Sequence, residues 1–159
     1  MPVIATQAAS SSALRGTSVA GVEIIDLPLE RADDAVALWQ ESGLTRPRND
    51  PLADLRRALT GPTSTVLAAL DEAGVVVGTA MVGHDGHRGW VYYLAVRSER
   101  RRSGLGRAMM DASEQWLARQ KVAKVNLMVR TTNTDVVAFY ASLGYENGDV
   151  LVLGKFLNG

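Results

Sequence analysis

The chain has no cysteine among its 159 residues. That excludes disulfides, thiolate metal ligands and any acyl-cysteine intermediate, and it suits a reducing cytoplasm. It has no excess of either charge, because Lys plus Arg and Asp plus Glu both number 17. A dedicated nucleic-acid or membrane-surface protein needs a basic excess, so neither nucleic acid nor membrane is expected as a partner. No apolar run approaches the ~20 residues of a membrane-spanning helix. Residues 1–20 are rich in Ala, Ser and Thr, with one arginine, and lack the compact apolar block of a signal peptide. They are expected to form a disordered leader ahead of one domain at 21–159. Two phosphate-binding patterns are missing as well. There is no Gly-Lys-Ser/Thr triplet to end a P-loop. Gly104-x-Gly106 is followed by Arg107, Ala108 and Met109, so the third glycine or alanine of the dinucleotide fingerprint is also absent.

What is present is an alternation of short strands and helices. Loose apolar alternation predicts a strand over 22–27. Asp33 or Asp34 starts a helix that ends near Gly43. Two prolines make 44–51 a loop, after which Leu52, Leu55, Arg56 and Leu59 line one side of a short helix ending at Gly61-Pro62. Residues 64–70 and 75–82 read as a hairpin around Asp71-Glu72-Ala73-Gly74. A second turn over 83–89 feeds a strand over 90–96. Leu105, Met109, Ala112, Trp116 and Leu117 recur at helical spacing. A strand follows at 124–130, and the helix before it implies a right-handed parallel crossover. A helix from Asn133 to Leu143, closed by Gly144, and a last strand or bent pair over 145–156 complete a mixed α/β layer fold with about four helices.

The stretch after residue 96 carries the first chemical signal. Arg97, Arg100, Arg101, Arg102 and Arg107 surround Gly104 and Gly106 between a strand and a helix start. In a chain of zero net charge this cluster reads as a focused anion site or as a solvated surface turn. Unpaired N–H groups and the dipole at a helix N-terminus favour a phosphate, glycines let it approach, and arginines add charge-assisted hydrogen bonds. The second signal is Asn133 and Tyr140, seven residues apart and therefore on one face of a helix. A tyrosine hydroxyl, with a pKa of roughly 10, is matched to donate a proton to a departing thiolate. Asn133 either holds a ligand chain or caps the helix.

Arg101-x-x-Gly104-x-Gly106, five residues after Val96, resembles the pyrophosphate loop of the GNAT N-acetyltransferase superfamily. Asn133…Phe139-Tyr140…Gly144-Tyr145 resembles that superfamily's C-terminal motif, and together the two extend the resemblance over residues 22–156. The stretches Arg46-Pro47-Arg48-Asn49-Asp50-Pro51, Gly83-His84-Asp85-Gly86-His87-Arg88-Gly89 and Tyr92-Tyr93-Leu94, with the late Leu153-Gly154-Lys155, are closest to the small stand-alone YpeA-like bacterial acetyltransferases. Arg48 stands where those proteins carry an aromatic residue.

The resemblance implies a mixed central sheet with a parallel, splayed strand pair, and transfer of an acetyl group from acetyl-CoA directly to an amine of a small molecule or protein. It implies that the backbone of Leu94, Ala95 and Val96 holds the acetyl and pantetheine amides. Arg101, Arg102, Ser103, Gly104, Leu105, Gly106 and Arg107 would bind pyrophosphate, Asn133 would help bind the donor, and Tyr140 would both contact it and protonate the thiolate. Asn49, Asp50 and Tyr92 are expected on the acceptor side. A lysine-like amine must lose a proton, at a cost of about 4–5 kcal/mol at neutral pH, yet the 90–96 strand carries no carboxylate. Asp50, Asp85, His84 and Tyr92 are the candidate bases. His84-x-x-His87 with Asp85 lacks a third clear ligand, so no metal is expected. A monomer or homodimer fits the chain. A catalytically idle acyl-CoA-binding or sensing module is the alternative reading.

Overall fold

A computed structural model describes Val19 and residues 21–158, so the leader expected at 1–20 lies, but for Val19, outside the described residues. Contacts divide the chain into two compact units, with the boundary between Leu127 and Met128.

The first unit is a five-stranded sheet in the order β1 (Glu23–Asp26), β2 (Ser64–Leu70), β3 (Val76–His84), β4 (Gly89–Val96) and β5 (Val125–Asn126). The β1–β2, β2–β3 and β3–β4 pairs are antiparallel, and β4–β5 is parallel. Short polar turns explain the hairpins. In the β2–β3 turn, Asp71 accepts from the N–H groups of Ala73 and Val75 at 3.0 and 2.9 Å. A parallel pair cannot be closed by such a turn and needs a crossover, which α3 (Leu105–Arg119) supplies.

The helices α1 (Ala32–Glu41) and α2 (Pro51–Thr60) cover one face of the sheet. Leu38, Trp39, Leu55 and Ala58 bury there with Val66, Ala68, Val76 and Ala95. Side chains alternate along a strand, so Ala69 points to the other face, and a register shift after Ala69 makes Gly78 its partner on that face. A Cβ on Gly78 would lie 3.3 Å from Ala69 Cβ and 3.5 Å from Leu105 Cδ2, which places α3 on that side. Coverage of both faces accounts for the near-continuous apolar runs of β2 and β3.

Several boundaries differ from the sequence expectation. Pro51 ends no loop; it occupies the first position of α2, where its missing N–H costs nothing and Asp50 caps the helix. The turn expected over 83–89 shrinks to its middle, since Gly83 and His84 pair with Trp90 and Gly89 as strand residues. The strand expected over 124–130 is paired only at Val125 and Asn126. Residues 145–156 carry no strand assignment. Apolar content permits a strand, but a hydrogen-bonded neighbour makes one, and no such ladder is formed by that stretch among the described residues.

The second unit contains α4 (Thr134–Ser142). Its end is the expected left-handed stop: Gly144 has φ +91° and its N–H donates to Ala141 O at 3.0 Å, while the Tyr145 N–H donates to Tyr140 O at 3.1 Å.

Candidate active site

The end of β4 is shaped by a bulge that the sequence does not announce. Thr79 faces Ala95 and Met81 faces Tyr92, so Tyr93 and Leu94 together oppose Ala80. Tyr93 sits at φ +50°, a left-handed conformation that costs a non-glycine residue roughly 1–2 kcal/mol. The strain is held by neighbours: the Tyr93 ring stacks on Trp39 with centroids 4.0 Å apart and planes within 12°. On the opposite edge β5 pairs only with Gly89 and Trp90, so among the described residues no β5 partner reaches Leu94, Ala95 or Val96. The expected splay is present, and it leaves backbone polar groups at that edge.

Beyond Val96 the arginine cluster divides in two. Arg97 is a tether: its backbone N–H donates to Val77 O and its Nε to Val76 O, each at 2.9 Å. Arg100 lies 3.6 Å from the Asp71 carboxylate in the β2–β3 turn. These two arginines hold the loop to the sheet. Arg101, Arg102, Ser103, Gly104 and Arg107 are exposed, and Leu105 is buried as the anchor of the helix start.

At that helix start Gly104 is the N-cap residue, with φ +84° and no side-chain cap. The first turn of α3 has no acidic residue to offset the positive end of its dipole. Among the described residues nothing lies within 4 Å of a Cβ built on Gly104, so the cap position itself is uncrowded. Ala108 N–H already bonds Gly104 O at 3.0 Å. The N–H groups ahead of it in the first turn have no intrahelical acceptor. Uncrowded space at Gly104, exposed arginines and an uncapped fifteen-residue helix fit a pyrophosphate.

The four candidate bases fare differently. Asp50 accepts from the Ala53 N–H at 3.1 Å as the cap of α2. Nearby, Asn49 N–H donates to Arg46 O at 3.0 Å, and Arg46 Nη1 donates to Gly43 O and Thr45 O, both at 2.8 Å, which folds the loop on itself. His84 Nδ1 accepts from the Gly86 N–H at 3.1 Å. Tyr92 is 42% exposed, and its pKa is raised by partial burial and then by the Asp85 charge, which keeps the hydroxyl protonated and so less available as a base. Asp85 is a turn anchor. It accepts from Arg88 N–H at 2.7 Å, His87 N–H at 2.9 Å and Trp90 Nε1 at 3.2 Å, and these donors lower its pKa to about 2. With its depressed pKa, Asp85 is a weak base. Among the described residues no group of three metal-ligating side chains is present.

Asp85 supports a prediction. Its folded-state pKa is depressed, so the turn's contribution is present above the ordinary carboxylate pKa and is lost as pH falls through about 2. Asp85→Asn should melt below wild type at pH 6, with the gap closing between pH 4 and 2. Parallel melting curves at both ends of that range would contradict the assignment.

In the second unit, Asn133 caps α4 by accepting from the Val136 N–H at 3.4 Å, which favours the capping reading of that residue. Tyr140 lies two turns further along the helix, its ring edge-on to Phe139 and Tyr145 at 5.1 and 5.6 Å. Burial raises its pKa, which keeps the hydroxyl protonated at neutral pH.

A family model described as the acetyltransferase (GNAT) family matches residues 30–145. Acetyltransferase YE1169 of Yersinia enterocolitica is 38% identical over 125 residues, covering 79% of this chain and 88% of that protein. Solved structures share the fold at lower identity. The aminoglycoside N-acetyltransferase AAC(6')-Iy in complex with CoA superposes with a TM-score of 0.74 at 16% identity, covering 86% of this chain and 95% of the other. AAC(6')-Ih of Acinetobacter baumannii, an aminoglycoside antibiotic 6'-N-acetyltransferase, gives 0.71 at 19% identity, covering 87% and 100%.

Proposed function

Because the chain belongs to the GNAT family of acetyltransferases, we propose that it uses acetyl-CoA as donor and passes the acetyl group directly to an amine of a small molecule or protein. The observation that carries this reading is the uncapped, open start of α3 at Gly104, set behind the bulged end of β4. The N–H groups of Leu105, Gly106 and Arg107, with the side chains of Arg101 and Arg102, would neutralise the pyrophosphate, and Ser103 lies in the same turn. The backbone of Leu94, Ala95 and Val96 would align the acetyl and pantetheine amides along the splayed edge. Asn133 would reach pantetheine through its amide NH2, since its oxygen serves the cap.

With no cysteine to carry an acyl group, the amine attacks the thioester carbonyl directly. The carbon–sulfur bond breaks as the carbon–nitrogen bond forms. Tyr140 gives its proton to the departing sulfur, and the proton lost by the amine returns through water. Asn49, Asp50 and Tyr92 are proposed to face the acceptor, with Asp50 acting through the shape of the loop it caps. That CoA occupies the related AAC(6')-Iy supports the choice of donor.

Thermal melting with acetyl-CoA tests this reading. At about 100-fold above its dissociation constant the ligand should add ~2.7 kcal/mol, which is a rise of roughly 5–10 °C for a chain this long. No shift at millimolar acetyl-CoA would overturn the donor assignment.

A further inference from the structure

Three elements converge on the one strained residue of β4, and their contacts are polar as well as apolar. Thr79 of β3 and Trp39 of α1 are both fully buried. The Thr79 hydroxyl donates to the Tyr93 carbonyl at 3.1 Å and accepts from Trp39 Nε1 at 2.8 Å. From α2, Asp54 accepts a hydrogen bond from the Tyr93 hydroxyl at 3.3 Å, and Arg57 pairs with the same carboxylate. A bulge leaves ladder groups without their strand partner. Here a threonine side chain takes the place of the missing partner, and the indole satisfies the threonine in turn. Apolar side chains of similar size would pack this core without the desolvation cost of a buried hydroxyl. The polar set therefore specifies a backbone conformation.

We infer that Thr79 and Asp54 are positioning residues for the acyl donor: through Tyr93 they hold the β4 bulge, and with it the backbone of Leu94, Ala95 and Val96, in the geometry that receives acetyl-CoA. This rests on the proposed donor site. It goes beyond that site by assigning function to residues on two elements outside it. Asp54 also lies in the first turn of α2, the helix that Asp50 caps at the end of the acceptor-side loop. The hydroxyl–carboxylate bond thus links the acceptor side of the fold to the donor strand.

The test is acetyl-CoA affinity by calorimetry, together with the amide chemical shifts of Leu94, Ala95 and Val96. Thr79→Val removes the hydroxyl at nearly constant volume and should weaken binding about 10- to 100-fold, while Thr79→Ser should restore it. Tyr93→Phe keeps the stack on Trp39 and should weaken binding about 3- to 10-fold, and Asp54→Ala should match it, because both remove the hydroxyl–carboxylate bond and the solvent-exposed pair with Arg57 that Asp54→Ala also removes contributes little. The double variant should then be no worse than either single one. A purely structural role would lower the melting temperature and leave affinity and the three amide shifts unchanged, which overturns the inference. If Thr79→Val does not fold, Tyr93→Phe decides alone. Wild-type protein that fails to bind acetyl-CoA would instead overturn the donor site itself.

Discussion

Replacing Tyr140 by phenylalanine is expected to lower kcat by roughly two orders of magnitude, the lower end of what general acid catalysis supplies, and to change acetyl-CoA affinity little. The substitution removes one oxygen and keeps the ring that packs edge-on against Phe139 and Tyr145. Burial raises its pKa, so the hydroxyl is protonated across the neutral range and holds a proton for the departing sulfur, as a weaker acid than an exposed phenol. Without it the thiolate must leave unprotonated or take a proton from water. The measurement is thiol release with the best amine from a screen, run beside calorimetry with acetyl-CoA. Unchanged turnover would remove Tyr140 from the chemistry. A parallel loss of affinity would mean that the residue serves binding. Binding by the wild type without turnover on any amine would favour an idle acyl-CoA module.

Gly104→Val is expected to weaken acetyl-CoA binding about 10- to 100-fold, the equivalent of one or two charge-assisted hydrogen bonds. Two effects combine. Valine at φ +84° is strained, so the turn that aims the first N–H groups of α3 should relax. Its side chain would also occupy the uncrowded cap position beside them. Strain alone would lower stability too, and Gly86→Val separates the two effects. Gly86 has φ +88° with nothing near its Cβ position, but it lies in the β3–β4 turn at the other end of the strand. Both variants should lose melting temperature. Only Gly104→Val should lose affinity. Equal affinity in the two would show that the loop does not bind the pyrophosphate.

How much of this was legible in the residues depends on how far apart the determinants lie. The Gly104 N-cap, the Gly144 stop and the α3 crossover follow from signals within a few residues of each feature. The capping roles of Asp50 and Asp85 were legible in the same way. Aspartate before a proline that opens a helix is a cap, and Asp85-Gly86-His87-Arg88 is a turn whose carboxylate meets its own N–H groups.

By itself, then, the sequence determined the order of strands and helices as far as α4, the helix stops, the glycine turn that opens α3 and the membership of the family, because each depends on local backbone preference or a short motif. Only the tertiary structure decided which arginines tether the loop, how little of β5 pairs with β4, and that Tyr93 adopts a left-handed turn. Nothing near Tyr93 in the chain asks for that conformation. Trp39 and Thr79, with Asp54, impose it from 14 to 54 residues away in numbering, as stacking and buried hydrogen bonds that exist only once α1, α2 and β3 have packed against β4.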